Sequence, residues 1–313
     1  MRTTGLYIQK IFASSINQKY RISMTLINEK TKVLVAGSTG YLGKHILKEL
    51  ENRNINFKAI ARTPSKLPDL NKEQILEAEV TRPSDLSGIC EGFDVVISTV
   101  GITHQKNGLT YKDVDFQANL NLLREAQSAG IKKFIYISAL NGDKMQHLKI
   151  FQAKEAFVDK LKNSGVNYTV MRPTGFFSDM RDFLEMAKRG SVYLFGNGQY
   201  RLNPIHGADL AEVVVDAISS IEKEIAVGGP DVLSQNEIAA LALDSWYKDV
   251  KISHLPDWTR KLILSMSRTF TSSKTYGPIE FFMTAMAMDN VAPRHGRHRL
   301  YSFFQKEVEK QNR

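Results

Sequence analysis

The chain of 313 residues has one cysteine, Cys90. No internal disulfide is possible, a cysteine-rich metal site is excluded, and a reducing compartment suits that usage. Cys90 lies among apolar residues and reads as a small core residue. No apolar run reaches the ~18 residues of a membrane-spanning helix. The chain shows no internal repeat and no low-complexity linker. Acidic side chains are the minority, 33 against 42 lysines and arginines, for a formal charge of +9. That excess is concentrated at the ends. Residues 1–23 carry Arg2, Lys10, Lys19 and Arg21 with no acid, and Arg294 to Arg313 holds six basic and two acidic side chains. The middle is nearly neutral, and no nucleic-acid motif accompanies the basic ends, so nucleic acid is not an expected partner.

Residues 1–23 are basic, acid-free and serine-containing, with Leu6, Tyr7, Ile8, Ile11 and Phe12 as their apolar part. The segment fits an organelle transit sequence, and it equally fits an upstream start with Met24 as the natural first residue. Residues 1–30 are therefore set apart as an N-terminal extension. The expected location is cytoplasmic, with organelle targeting through residues 1–23 as the other reading.

The most informative stretch is Val33-Leu34-Val35-Ala36-Gly37-Ser38-Thr39-Gly40-Tyr41-Leu42-Gly43. Four apolar residues predict a buried strand, and Lys44 to Leu50 predicts an amphipathic helix after the glycines. Strand, glycine turn and helix start, in that order, make a site for a dinucleotide pyrophosphate. The first glycine permits the tight turn, the second admits the phosphates to the backbone, and the third lets helix and strand pack closely. The spacing is G-x-x-G-x-x-G rather than G-x-G-x-x-G. Gly37, Ser38, Thr39, Gly40, Tyr41, Leu42 and Gly43 are the candidate cofactor-binding residues here. The next strand, Phe57 to Ala61, ends at Arg62, where an acidic residue would be expected for a ribose 2′-hydroxyl. Arg62, with Lys66 nearby, instead suits the 2′-phosphate of NADP.

Strands and helices then alternate. Strands are predicted at Gln74–Val80, Phe93–Val100, Lys133–Ser138 and Tyr168–Met171, and helices at Ser84–Cys90, Lys112–Ala129 and Gln152–Ser164. Such alternation implies an α/β fold, a parallel sheet covered on both faces. Ligands bind outside the carboxyl ends of such strands, which makes Thr99, Val100 and Gly101 further cofactor-binding candidates. Beyond Thr174 the pattern loosens. Asp182–Lys188 predicts a short helix, Val192–Phe195 a strand, Gly196-Asn197-Gly198 a hairpin-type turn, and Asp209 the N-cap of a helix over Leu210–Ser219. Glu224–Gly228 predicts a strand, Gln235–Trp246 and Trp258–Phe270 helices, and residues 271–300 a cover for a cleft.

The chain resembles the short-chain dehydrogenase/reductase superfamily in its atypical branch. GSTGYLG at 37–43, Arg62, STVG at 98–101, YISA at 136–139, Lys154 and MRPTGFF at 171–177 carry that resemblance over about residues 31–310. FQAK at 151–154, RPTGFF at 172–177, LFGNGQYRLNPIHGADLAEVV at 194–214 and GGPDVLSQNEIAALA at 228–242 are similar to the divinyl chlorophyllide 8-vinyl reductase-like and NmrA-like groups. The resemblance implies a Rossmann doubly wound sheet over residues 31–175, with a small C-terminal substrate lobe over residues 176–313 interleaved with it. It also implies NADP as cofactor, Lys154 on the nicotinamide ribose, Ser138 as a second catalytic residue, and Pro173, Thr174 and Phe176 near the nicotinamide. The first of those groups reduces a conjugated vinyl group on a chlorin ring.

One departure changes the expected chemistry. The superfamily places a tyrosine four residues before its lysine, and position 150 here is Ile150. The phenol that protonates a carbonyl oxygen is missing. Hydride transfer to an activated carbon–carbon double bond tolerates that loss, because no alkoxide needs a proton. The expected substrate is a small apolar or conjugated molecule. A nucleotide sensor or an assembly factor, either with a protein partner, is the competing reading. Phe176 and Phe177 read equally as cleft wall or core. His206 reads as a structural histidine or a proton donor, and the run Arg294, His295, Arg297, His298, Arg299 as an anion site or a solvated tail. No metal is expected, because no acidic or cysteine ligands surround those histidines.

Overall fold

The computed structural model describes residues 31–105, 108–249 and 251–312. The extension at residues 1–30, with Met24, lies outside them. The chain enters through β1 (Lys32–Ala36), α1 (Tyr41–Asn52), β2 (Asn56–Ala61), β3 (Ile75–Glu77) and β4 (Val95–Ser98). A π-helical turn (Lys112–Ala118) leads into α2 (Asn119–Ser128), followed by β5 (Lys133–Ile137), α3 (Lys149–Lys162) and β6 (Tyr168–Pro173). Next come α4 (Arg181–Lys188), β7 (Val192–Phe195), β8 (Arg201–Leu202), α5 (Gly207–Asp216) and β9 (Glu224–Val227). The C-terminal part adds β10 (Leu233–Ser234), α6 (Gln235–Ser245), β11 (Ile252–Leu255), α7 (Asp257–Phe270), α8 (Ser273–Ala285) and α9 (Leu300–Gln311).

Seven strands form one parallel sheet in the order β3-β2-β1-β4-β5-β6-β9, a Rossmann-type arrangement. Its strands are apolar on both faces because both faces are covered. Val33 and Val35 point into the core shared with Ile46 and Leu50 of α1 and Leu210 and Val214 of α5. Leu34 and Ala36 point the other way, to Leu122 and Ala126 of α2 and Phe157 and Leu161 of α3. Cys90 is in this second core, where burial pushes its thiol up to about 12 and leaves it unreactive.

The chain winds from β1 outward to β3, then returns to β4 on the other side of β1. The switch point therefore lies beyond the carboxyl ends of β1 and β4, the place where such sheets take ligands. A third core, built from Phe183, Leu184, Leu194, Ile238, Leu243, Leu300 and Phe304, underlies the C-terminal lobe. Two small sheets brace that lobe, β7 parallel to β11 and β8 antiparallel to β10.

Several local expectations are corrected. The third strand is three residues long rather than Gln74–Val80, because Lys72–Gln74 form a 3-10 turn that Asn71 and Gln74 cap reciprocally. Ser84–Cys90 is not a helix. A 3-10 turn over Pro83–Leu86 ends before Gly88, whose φ is 69°. The long helix before Gly130 begins as the π-turn. There, the Asn119 amide donates to the carbonyls of Val114 (3.3 Å), Asp115 (2.9 Å) and Val100 (3.1 Å). Gly196-Asn197-Gly198 makes no hairpin. Its two glycines are left-handed, and they carry the chain from one small sheet to the other. Asp209 is not an N-cap. His206 caps α5, its Nδ1 accepting the Ala208 N–H at 3.2 Å, while Asp209 is buried under residues 297–298.

Candidate active site

The glycine turn leaves β1 at Gly37, with φ 77°. A Cβ there would strike Thr99 Oγ1, the hydroxyl that donates to Gly37 O at 3.1 Å and fastens the turn to the end of β4. Gly40 precedes α1 in an extended conformation. Neither a capping side chain nor an acidic residue compensates that helix end, so its N–H groups and positive dipole remain available to an anion. A Cβ on Gly43 would run into Gly37 O and lie 2.8 Å from Ser38 Cα, so helix and strand pack as closely as glycine allows.

Gly37, Thr39 and Gly40 line a groove of about 320 Å³, together with Ala61, Arg62, Glu79, Thr99, Val100, Gly101 and His104. The other motif residues shape it. Ser38 is buried and donates to Ile60 O at 2.6 Å, and Leu42 is core. Tyr41 turns away, its hydroxyl accepting the Gly207 N–H at 3.0 Å and its ring edge-on to Phe176.

Arg62 stands exposed at the groove's rim, 3.2 Å from Glu79 Oε2. The carboxylate missing from the end of β2 thus arrives from beyond β3. Sequence reasoning missed Glu79, because nothing in its local spacing ties it to Arg62. Lys66 is exposed on a 3-10 turn and is not among the groove-lining residues.

At the other end, Gly101 covers a buried pair. Lys154 Nζ lies 2.9 Å from Asp115 Oδ1, with the lysine side chain 14% exposed and the aspartate fully buried. Asp115 Oδ2 also accepts the Ile102 N–H at 3.2 Å. Burial pulls the Lys154 ammonium down, but Asp115 and Tyr136 outweigh it and hold the group above its ordinary 10.5, so it stays charged. Burial likewise raises the Asp115 carboxyl against the opposing pull of Lys154. The ring of Tyr136 lies 5.7 Å from the ammonium and is wholly buried, its phenol raised mainly by that burial. A Cβ on Gly101 would lie 2.6 Å from Asp115 Oδ1 and 2.9 Å from Lys154 Nζ. Asp115 and Tyr136 were not singled out from the sequence.

Ser138, at the end of β5, donates to Glu155 Oε1 at 2.8 Å. Glu155 is clamped by Arg172 through Nη1 at 2.8 Å and Nη2 at 2.9 Å, and Arg172 Nε reaches Glu224 at 2.7 Å. Pro173 is buried at the end of β6, and its carbonyl accepts the Leu140 N–H at 2.9 Å. Ile150 is buried with Phe151 and Met145, so no phenol occupies the tyrosine position.

A larger cavity, about 690 Å³, opens in the C-terminal lobe among Phe183, Met186, Tyr193, Phe282, Met283 and Met286, with Asp182 and Arg260 also on its walls. His104 of the groove is close enough to Asp182 for its charge to lower that carboxyl, which burial and Glu185 raise. The helix α8, within residues 271–300, supplies part of the cavity wall. Phe177 is core and Phe176 packs on Tyr41; neither lines this cavity.

Of the basic run only the two histidines are half-buried, while Arg294, Arg297 and Arg299 stay exposed. His298 Nδ1 lies 2.6 Å from Asp209 Oδ1, and Arg297 and Arg299 pair with Glu212 and Asp231. The His295 N–H donates to Gly228 O at 2.8 Å. His206 stacks on His298 with centroids 4.2 Å apart.

The family described as NAD(P)H-binding matches residues 37–220, more than half of the chain. The chain is 29% identical over 322 residues to a divinyl chlorophyllide a 8-vinyl-reductase of Arabidopsis thaliana, covering 88% of this chain and 76% of that one. It is 25% identical over 249 residues to the photosystem II assembly factor Ycf39 of Synechocystis, covering 76% and 75%. Among solved structures, an NADPH-dependent quinone oxidoreductase of Escherichia coli, complexed with NADPH, superposes with a TM-score of 0.69. The two are 16% identical over 90% of this chain and all of that one, which shows the fold.

Proposed function

The chain belongs to the NAD(P)H-binding family, and from that premise we propose that it is an NADPH-dependent oxidoreductase of the atypical short-chain type. Its favoured reaction is hydride transfer to an activated carbon–carbon double bond of an apolar or conjugated substrate. The observation that carries this reading is the groove itself, with an uncompensated helix N-terminus and Arg62 toward one end and the Gly101-covered Lys154–Asp115 pair at the other. The C-terminal lobe adds a cavity with mostly apolar walls.

The residues present fit a dinucleotide. Gly37, Thr39 and Gly40 with the first turn of α1 hold the pyrophosphate. Arg62 leaves Glu79 for the 2′-phosphate, while Thr99, Val100 and Gly101 admit the nicotinamide half and Lys154 donates to its ribose. Asp115 positions Lys154, and Ser138 positions Glu155 and Arg172 beneath the sheet edge. Bound there, reduced nicotinamide supplies a hydride. The second hydrogen comes from water or a weak acid, because position 150 offers no phenol and the phenol of Tyr136 is sealed from solvent. The protein's contribution is mainly orientation.

The rival reading is an NADP(H)-dependent sensor or assembly factor that binds the nucleotide without turnover. Ile150 in place of the tyrosine favours it, as does the similarity to Ycf39. One experiment separates them: NADPH oxidation by the purified chain against electron-poor alkenes, quinones and a divinyl chlorophyllide. Steady turnover on any member is expected. Tight NADPH binding with no turnover across the panel would overturn the enzyme reading in favour of the sensor.

A further inference from the structure

An ordinary surface helix turns its apolar face to the core. The 14-residue helix α7 does the reverse. It has no buried residue, yet Trp258, Leu262, Ile263, Met266 and Phe270 stand 64, 49, 39, 52 and 78% exposed. At 100° per residue these five fall within an arc of about 140°, with only Thr259 and Thr269 among them. The half-buried Arg260, Leu264 and Ser267 lie on the opposite side. Arg268 ties the flank to the buried Glu280 of α8, while Arg260 and Lys261 pair within the helix itself, with Asp257.

We propose that α7 is an interfacial helix that seats the C-terminal lobe on an anionic lipid bilayer. The charge around it is complementary to such a surface. Residues 251–270 contain four basic side chains (Lys251, Arg260, Lys261 and Arg268) against one acid, Asp257, with Glu280 of α8 as the further acidic partner of Arg268. Trp and Phe on one side with Lys and Arg at the border is the composition of a helix lying in the headgroup layer. At 1.5 Å per residue it is about 21 Å long, too short to span, and no described helix is long and apolar enough to cross a membrane. A second copy of the chain is a poorer occupant. The five side chains expose on the order of 500 Å², short of the ~800 Å² per partner of a stable protein interface.

The position matters for the site, on the proposed reading that the lobe cavity takes an apolar substrate. Asp257 and Arg260 of α7, Phe282 and Met283 of α8, and Met286 just after it line that cavity. Docking by α7 holds it beside the hydrocarbon boundary, so that a lipid-dissolved substrate reaches it without crossing water.

The test uses the full chain with vesicles of phosphatidylcholine alone or with one-third phosphatidylglycerol. Co-sedimentation is expected with the mixed vesicles and at least about tenfold weaker for Leu262→Ser/Met266→Ser/Phe270→Ser. NADPH affinity, unchanged in that variant, reports that it is folded. Independently of the variant, brominated lipid should quench wild-type emission, and Trp258→Phe should remove that quenching. Equal sedimentation of wild type and variant would overturn the proposal. So would absence of quenching, or a wild-type dimer that the triple variant converts to monomer. Vesicle binding without turnover would leave this inference standing and remove the reductase reading.

Discussion

Asp115 Oδ1 and Lys154 Nζ meet 2.9 Å apart under Gly101, and a single added methyl would press on both. The aspartate is fully buried, so its position is fixed by the fold, and the lysine follows it. Gly101→Ala is expected to separate the pair. A displacement of that kind costs on the order of 10- to 100-fold in kcat/KM, read by steady-state NADPH oxidation. A thermal melt near wild type would show that the loss is local.

The pair also fixes a pH dependence. Lys154 is held above its ordinary value in the folded protein. Its contribution to stability, and on the proposed reading to cofactor binding, is therefore fully present below about 10.5 and is lost as pH rises through the raised value. In Asp115→Asn burial is opposed by Tyr136 without the carboxylate, the ammonium loses its proton at lower pH, and NADPH affinity should fall across the mildly alkaline range where wild type stays flat. Fluorescence titration against pH distinguishes the two. A flat profile in the variant would show that Asp115 does not hold the proton on Lys154.

On the proposed reading, Arg62 and Glu79 select between the two nucleotides. Arg62→Ala should weaken NADPH binding by roughly 10- to 100-fold, the value of a charge-assisted contact, while leaving NADH nearly unchanged. Glu79→Gln frees the guanidinium and should raise the NADPH preference severalfold. Calorimetric titration with both nucleotides reads each ratio. An Arg62→Ala protein with undiminished NADPH affinity would remove the assignment of NADP.

The Ser138–Glu155–Arg172 network is a stability element. Glu155 and Arg172 are 8 and 12% exposed, so Glu155→Gln leaves the guanidinium with Glu224 as its one charge partner and should cost about 1–3 kcal/mol in urea unfolding. Ser138→Ala removes one hydrogen bond, about 1 kcal/mol, with kcat changed less than severalfold. A fall in kcat of several hundredfold with unchanged stability would make Ser138 a catalytic residue after all.

His206 predicts acid sensitivity. Burial, then the neighbouring His298 and His45, lower it from 6.5 to about 4. The unfolded chain binds that proton first, so stability falls as pH drops from about 6.5 toward 4. His206→Asn keeps a capping side chain and should flatten that stretch of the stability profile, measured by denaturant midpoints across the window.

The parts readable from sequence were those whose meaning lies in local spacing. Lys154 was singled out only through the family resemblance, whereas GSTGYLG and the alternation of β1 through β6 state their structural meaning within a few residues. Glu79 and Asp115 do not, because each acquires its role only when strand order brings it beside Arg62 or Lys154. Asp209 makes the same point in reverse. Its place before a helix suggests a cap, but the backbone N–H groups of Arg297 and His298 claim its carboxylate, and His206 takes the cap instead. The exposed arc of α7 was legible as a helix but not as an outward-facing one, since periodicity gives a face without saying where it points.

The pairing of β7 with β11 and the core contacts of Leu300, Phe304 and Val308 also set an order in time. During synthesis, the half of the sheet that holds the glycine turn has all its strands by the time β6 leaves the ribosome. The lobe does not, because β7 waits for β11 and its core waits for α9. A chain halted before residue 300 would thus have the glycine turn in place while the core of the lobe lacked α9, and nascent molecules acquire the two parts one after the other.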